Sequence, residues 1–270
     1  MDFTLKVWMG FFPILLAAFD FKPWNEAPWH ISLDGSYEYA YFPNVSRRVY
    51  PINYSSHEND LGFLLDVPFS PSSDIQAEIT FNEARSLDFN FDTAGFLFKH
   101  QFYNDIAGDP ISLATYASLV FSPHERISNV VTTLHNMWNF TIGAVIGKEK
   151  TRYDDWANRW WLGADFGMAN QGYPWFHVMG NLELKFREKW IAGVGLLGYF
   201  GLAGTRVVDI ADFNGWGNIG HQSLDLEVKL QRLFGPWGKL SVSYLARAFA
   251  YAYPKGRQGV LIYYHYPFDL

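Results

Sequence analysis

Residues 259–270 read GVLIYYHYPFDL. Counted back from the last residue, one alternate set is Leu270, Phe268, Tyr266, Tyr264, Ile262 and Val260, wholly apolar or aromatic. The other set is Asp269, Pro267, His265, Tyr263, Leu261 and Gly259, which is mixed and partly polar. A period of two places these sets on opposite faces of a β-strand. A chain end frays unless it is tied into structure, so this segment is expected to pair with another strand.

The same alternation recurs upstream. Ile31, Leu33, Tyr37, Tyr39 and Tyr41 stand against Ser32, Asp34, Ser36 and Glu38. Leu61 to Phe69 alternates around Asp66, and Ile75, Ala77, Ile79 and Phe81 oppose Gln76, Glu78, Thr80 and Asn82. Leu87, Phe89 and Phe91 oppose Asp88, Asn90 and Asp92, after which the apolar parity shifts near Ala94–Gly95, the mark of a bulge. Further segments follow around 111–121, 138–146, 160–168, 176–186, 190–200, 224–231 and 240–247. The tally is about twelve strands, within a range of about ten to fourteen. Helical spacing is nearly absent; residues 124–136 read as a loop with one helical turn.

Composition narrows the class. Of 270 residues, 19% are aromatic, none is cysteine, and the formal charge is −6. A net negative chain is a poor partner for nucleic acid. No apolar run reaches the roughly 20 residues of a spanning helix. The longest, LKVWMGFFPILLAAF, has one basic residue before its apolar stretch and reads as a signal peptide over residues 1–18. Residues 19–29 then form an N-terminal connector bearing Pro and Trp, and 30–270 the strand-rich body.

Alternating strands can be buried as a soluble sandwich or barrel, or inverted as a membrane barrel with apolar residues on lipid. The runs here are about nine to twelve residues, the length of a tilted membrane strand, against about five or six for soluble strands. The polar parity is too small and charged to fill a wide dry barrel. Tyr39, Tyr41, Phe42, Trp160, Trp161, Trp175, Tyr264 and Tyr266 suit interfacial girdles. With its leader, its alternating long and short connections and its C-terminal strand, the chain resembles a bacterial outer-membrane β-barrel protein. The resemblance is to a broad class and covers residues 30–270. It implies an all-β, closed, antiparallel up-and-down transmembrane barrel in the outer membrane of a Gram-negative-type bacterium. It also implies a lipid bilayer around Ile262, Tyr264, Tyr266, Phe268 and Leu270, and recognition of the last strand by the barrel-insertion machinery. Two residues depart from the class: Leu270 stands where an aromatic residue usually ends the chain, and Pro267 removes a ladder donor.

Three motifs invite other functions. Gly193–Gly198 spells G-x-G-x-x-G, but no helix pattern follows to receive a phosphate, so no dinucleotide site is expected. His221 and Ser223 resemble the His-x-Ser element of outer-membrane lipid hydrolases. Their parity is lumenal, however, while lipid chemistry needs the outer face, so no catalytic residue is assigned. The scattered histidines have no metal-ligand spacing, and neither metal nor cofactor is expected.

The lumen is the functional clue. The pore-lining acids on this parity are Asp34, Glu38, Asp66, Glu78, Asp88, Asp92, Asp165, Glu183, Asp225 and Glu227. His221, Ser223 and Arg247 share the lining, and Lys185 and Lys229 are the other inward bases. An acid excess favours cations. The leading expectation is a small porin-like channel for a small cationic solute. The alternative is a non-conducting structural or surface-contact barrel working through connections 43–57, 123–135 and 202–220; a barrel hydrolase ranks last.

Overall fold

The computed structural model describes residues 19–49, 54–152 and 155–269. The expected signal peptide and Leu270 lie outside the described residues.

The strands follow in chain order: β1 His30–Phe42, β2 Asn44–Val45, β3 Ser56–Ser70, β4 Ser73–Ala84, β5 Leu87–Tyr103, β6 Ser112–Phe121 and β7 Trp138–Arg152. They continue with β8 Asp155–Ala169, β9 Trp175–Phe186, β10 Trp190–Gly201, β11 Gln222–Leu233, β12 Lys239–Tyr251, β13 Pro254–Lys255 and β14 Gln258–Asp269. All but the two-residue β2 and β13 form one closed antiparallel barrel of twelve strands, each paired with its neighbours in sequence. The C-terminal segment closes it. β14 runs antiparallel to β1 from His30↔Asp269 to Tyr41↔Gln258, with Pro267 opposite Ser32. Closure leaves no open edge, which a bilayer does not tolerate.

The alternation orients each wall. In β4, Asp74, Gln76 and Thr80 are buried inward while Ile75 and Ile79 are exposed. In β11, Leu226, Val228 and Leu230 are exposed, and Ser223 and Asp225 are buried. Leu33, Phe63, Phe96, Phe140, Ile142, Leu162 and Val242 continue an exposed apolar belt around the barrel. A soluble protein does not expose so continuous an apolar surface; a lipid-facing wall requires it.

Three expectations shift. The bulge lies at Asp92, where Thr80 pairs with Thr93 but Phe81 with Phe91, rather than at Ala94–Gly95. The extra residue turns Asp92 and Thr93 together toward the interior, and the parity change becomes visible in the sequence only two residues later. Three girdle aromatics also point inward. Phe42, Trp161 and Trp175 are 0%, 4% and 2% exposed, because each sits on the lumenal parity of its strand. Finally, the helical turn near 124–136 is confined to α1, His124–Ile127.

β1 begins and β14 ends at one end of the barrel, called here the near end. At the far end the described residues of the connections, 43–49, 54–55, 122–137, 202–221 and 252–257, fold over the mouth as a cap. Its core comprises Trp216, Phe42, Val45, Val130, Val208, Phe213, Ile219, Ala252 and Tyr253. β2 pairs with β13 across two of these connections, and Val208 N donates to Arg47 O at 2.9 Å. Trp216 Nε1 donates to Thr132 O at 2.6 Å.

Two histidines stand under the cap: His221 Nε2 lies 3.0 Å from His135 Nε2, and both residues are buried. Burial, then His221 and His177, holds the His135 pKa well below 6.5. Burial, His177 and Arg247 push His221 down to about 3. The unfolded histidines take up protons near pH 6.5, so between that value and the folded pKa values the unfolded state binds more protons. Cap stability is therefore full above about pH 6.5 and declines as pH falls below it. Protease cleavage within 202–221 is expected to accelerate as pH drops from about 7 to about 4. A His135→Gln/His221→Gln double variant is expected to lose that acid dependence; an unchanged profile would rule the pair out as its source.

Candidate functional site

Residues 19–29, expected only as a connector, run inside the barrel as a strap across its near end. Phe19 packs against Leu64, Leu97 and Tyr116, and the Phe21 ring lies 4.8 Å from Tyr116. Asp20 N donates to Gln76 Oε1 at 2.8 Å, and Lys99 Nζ to Asp20 O at 3.4 Å. Trp24 meets Trp161 edge-on at 6.1 Å and donates to Asp105 Oδ1 at 2.8 Å. Burial opposes ionisation of Asp20, but Lys22 and Lys99 outweigh it and hold its pKa below the usual carboxylate value.

Between strap and cap lies a chamber of ≈ 360 Å³. Phe19 and Phe21 form its floor and Thr133, Leu134 and His135 its roof. Its walls carry four carboxylates, Glu38, Asp165, Asp225 and Glu227, and among the described residues lining it there is no lysine or arginine. The remaining lining is mostly apolar or aromatic, including Trp175, Met179, Tyr199 and Tyr263. His135 stacks on Trp175 with centroids 3.7 Å apart. Asp165 accepts from Tyr116 OH at 3.0 Å and lies 2.9 Å from His177 Nδ1. Glu227 accepts from Ser243 Oγ at 2.6 Å.

The expected pore-lining residues distribute around this chamber. Asp34 takes Tyr263 OH and lies 2.7 Å from His265 Nδ1. Glu78 is buried on the wall of β4. Asp92 lines a small pocket under the cap with Glu58, Asp60 and Arg126. Glu183 lies 2.7 Å from both Arg159 Nε and Lys229 Nζ. Arg247 forks onto both oxygens of Asp225 at 2.6 and 2.7 Å. Asp88 is exposed, because a second register shift, with Asn82 opposite Asn90 but Ala84 opposite Leu87, breaks the parity of β5 there. His221 and Ser223 are both buried, and among the described residues Ser223 Oγ has no hydrogen-bond partner. Gly193–Gly198 lies wholly within β10.

The lumen holds more bases than Lys185, Lys229 and Arg247. Lys99 pairs with Asp74 at 2.9 Å, with side chains 2% and 1% exposed. Arg257 reaches Glu38 at 3.1 Å and Glu58 at 2.9 Å. Arg126 caps the pocket beside Asp92, donating to Phe91 O and Asp88 O at 3.1 and 2.9 Å. The lumen is therefore not a uniform acid tube but holds neutralised pairs, two of which, Arg257–Glu38 and Arg247–Asp225, involve carboxylates of the chamber wall. Nearer the near end, Lys22, Lys229 and Lys239 line a second cavity of ≈ 200 Å³. Lys99 was accessible from parity, since Leu97, Lys99 and Gln101 share the inward face beyond the bulge. Arg126 and Arg257 belong to connections, where parity has no meaning.

No family model matches the sequence, and a search of curated proteins finds no match. Solved structures do match. A COG4313 outer-membrane channel from Pseudomonas putida F1 is similar at TM-score 0.68, with 10% identity, over 93% of this chain and 99% of that one. By fold this chain is a closed twelve-stranded β-barrel similar to that of outer-membrane channels. The KdgM porin, solved in complex with disordered oligogalacturonate, is similar at TM-score 0.56 and 13% identity, over 88% of this chain and 99% of that one. The NanC porin is similar at TM-score 0.56 and 9% identity, over 87% and 98%. These identities bear on the fold alone; the walls of this lumen are its own.

Proposed function

We propose that this barrel is an outer-membrane channel for small cationic solutes with an apolar body. The observation that carries this reading is the chamber wall: no lysine or arginine lines it among its described residues, and of its four carboxylates Glu38 and Asp225 are met by Arg257 and Arg247 from outside the lining, which leaves Asp165 and Glu227 as its acidic face. Carboxylates inside low-dielectric walls concentrate cations, and the apolar lining suits the body of an amphipathic solute. In this reading residues 1–18 are the leader removed on export, and β14 presents the alternating outer face by which barrel-insertion machinery recognises its clients.

The test is the reversal potential of refolded protein in a planar bilayer under a salt gradient. Among the chamber acids, Glu227 is the informative one to neutralise. Asp225 is forked by Arg247, so Asp225→Asn would unbalance a buried guanidinium as well as remove a charge. Glu227→Gln is expected to lower cation-over-anion preference by up to about fivefold, equivalent to about 1 kcal/mol. Unchanged selectivity would remove Glu227 from the filter. Closure at both ends favours a second reading, a non-conducting barrel working through its cap. Silence of the inserted barrel under all conditions would select that reading.

A further inference from the structure

We propose that residues 19–29 are a gate: seated, the strap divides the chamber from the near mouth, and released, it joins them. The gate presupposes the channel reading above.

Three independent observations place it there. First, the strap adds no strand to the wall. It docks through side chains and a few polar contacts, with Trp29 N donating to Pro68 O at 2.7 Å beside its junction with β1. The twelve-strand ladder therefore closes without it, and water can replace its polar partners once it moves.

Second, the wall is recessed to receive it. A Cβ on Gly95 would lie 2.8 Å from Phe19 Cζ, and one on Gly147 would lie 2.7 Å from Pro23 Cγ. Both positions face the lumen; a Cβ on Gly95 would meet only the side chains of Phe19 and Val120, whereas one on Gly147 would also lie 2.8 Å from Trp160 O on the neighbouring strand.

Third, the two cavities meet at the strap. Phe19 and Phe21 line the ≈ 360 Å³ chamber and also the ≈ 200 Å³ cavity beside it. Asp20 and Lys22 line only the latter. Glu227, Met179, Asn181 and Tyr263 border both, so the wall is continuous from one to the other. Phe19 and Phe21 are the strap residues common to both linings. A solute leaving the chamber toward the near end passes from a lining without lysine to one where Lys22, Lys229 and Lys239 stand beside Asp20 and Glu227.

The chain contains no cysteine, so introduced thiols are unique. The strap is released in two independent ways, by Phe19→Ser/Phe21→Ser in the strap and by Gly95→Leu in the wall. It is fixed in Trp24→Cys/Trp161→Cys by a short, cleavable bifunctional thiol reagent. Circular dichroism verifies barrel formation in each variant before single-channel recording. A several-fold rise in conductance is expected on release. Low conductance is expected when the strap is bridged, reversing when the bridge is cut. Equal conductance in parent, released and bridged barrels would overturn the gate and leave the channel standing. Absence of conductance from all of them, including the released forms, would overturn gate and channel together. Should the wall variant fail to fold, the strap variant and the bridge still decide between these outcomes.

Discussion

Arg257→Met is expected to cost the folded barrel about 3–5 kcal/mol, the usual penalty for leaving buried charges without their partner. The guanidinium donates through Nε to Glu58 at 3.0 Å and reaches Glu38 at 3.1 Å, with those two carboxylates 4% and 0% exposed. Glu38 pairs across the strands with Asp60, and Ala40 with Glu58, so three acids crowd one corner of β1 and β3. Burial alone would lower the Arg257 pKa, but Glu38 and Glu58 outweigh it and hold the charge in place. Methionine fills the volume and removes the charge. The unfolding midpoint in urea, followed by tryptophan fluorescence in lipid vesicles, should fall accordingly. Arg257→Lys should recover only part of the loss, because an ammonium cannot fork between two carboxylates. Adding Glu38→Gln and Glu58→Gln to the methionine variant should restore most of it. A loss below about 1 kcal/mol would mean the acids find other compensation.

Trp216→Ala is expected to remove a comparable amount, about 3–5 kcal/mol, but from the cap alone. The indole is fully buried, with ring centroids 4.4 Å from Tyr253 and 4.8 Å from Phe213. Its Nε1 holds Thr132 O, tying connection 202–221 to 122–137. The barrel ladder includes none of these groups, so the loss should appear as local opening rather than global unfolding. Protease should cut within 202–221 while the barrel's own midpoint stays near that of the parent. A coincident fall of both would show that cap and barrel unfold as one unit. Trp216→Phe should be milder, losing the hydrogen bond but keeping most of the buried surface.

Much of this architecture is legible in twelve residues. The alternation of β14 predicts a paired terminal strand, and the same parity in β4 and β11 separates lipid-facing Ile79 or Val228 from lumenal Thr80 or Asp225. Parity is a local property: successive side chains on a strand point to opposite faces whatever lies beyond. It therefore carried the fold class and the inward position of Asp165, Glu183 and Glu227. It did not carry charge balance. Lys99 meets Asp74 across adjacent strands, and Arg257 comes from a connection 199 residues beyond Glu58.

Nor could parity distinguish a girdle from a lumen for Trp161 and Trp175, whose neighbours Trp160 and Phe176 are equally aromatic. Which ring turned inward depended on the register each strand took in the closed barrel. The strap was less legible still, since FDFKPWNEAPW, residues 19–29, has neither strand nor helix period and reads as a linker. Its place follows from a space that exists only after closure, with Gly95 and Gly147 leaving room for Phe19 and Pro23.

The sequence by itself determined a closed barrel with an apolar exterior and a polar lumen, because period-two patterning is settled residue by residue along each strand. The tertiary structure decided what the lumen holds: neutralised pairs, an acidic chamber, a strap below and a cap above. Those contacts join residues far apart in the chain, and they arise only when closure brings opposite walls within reach of one another.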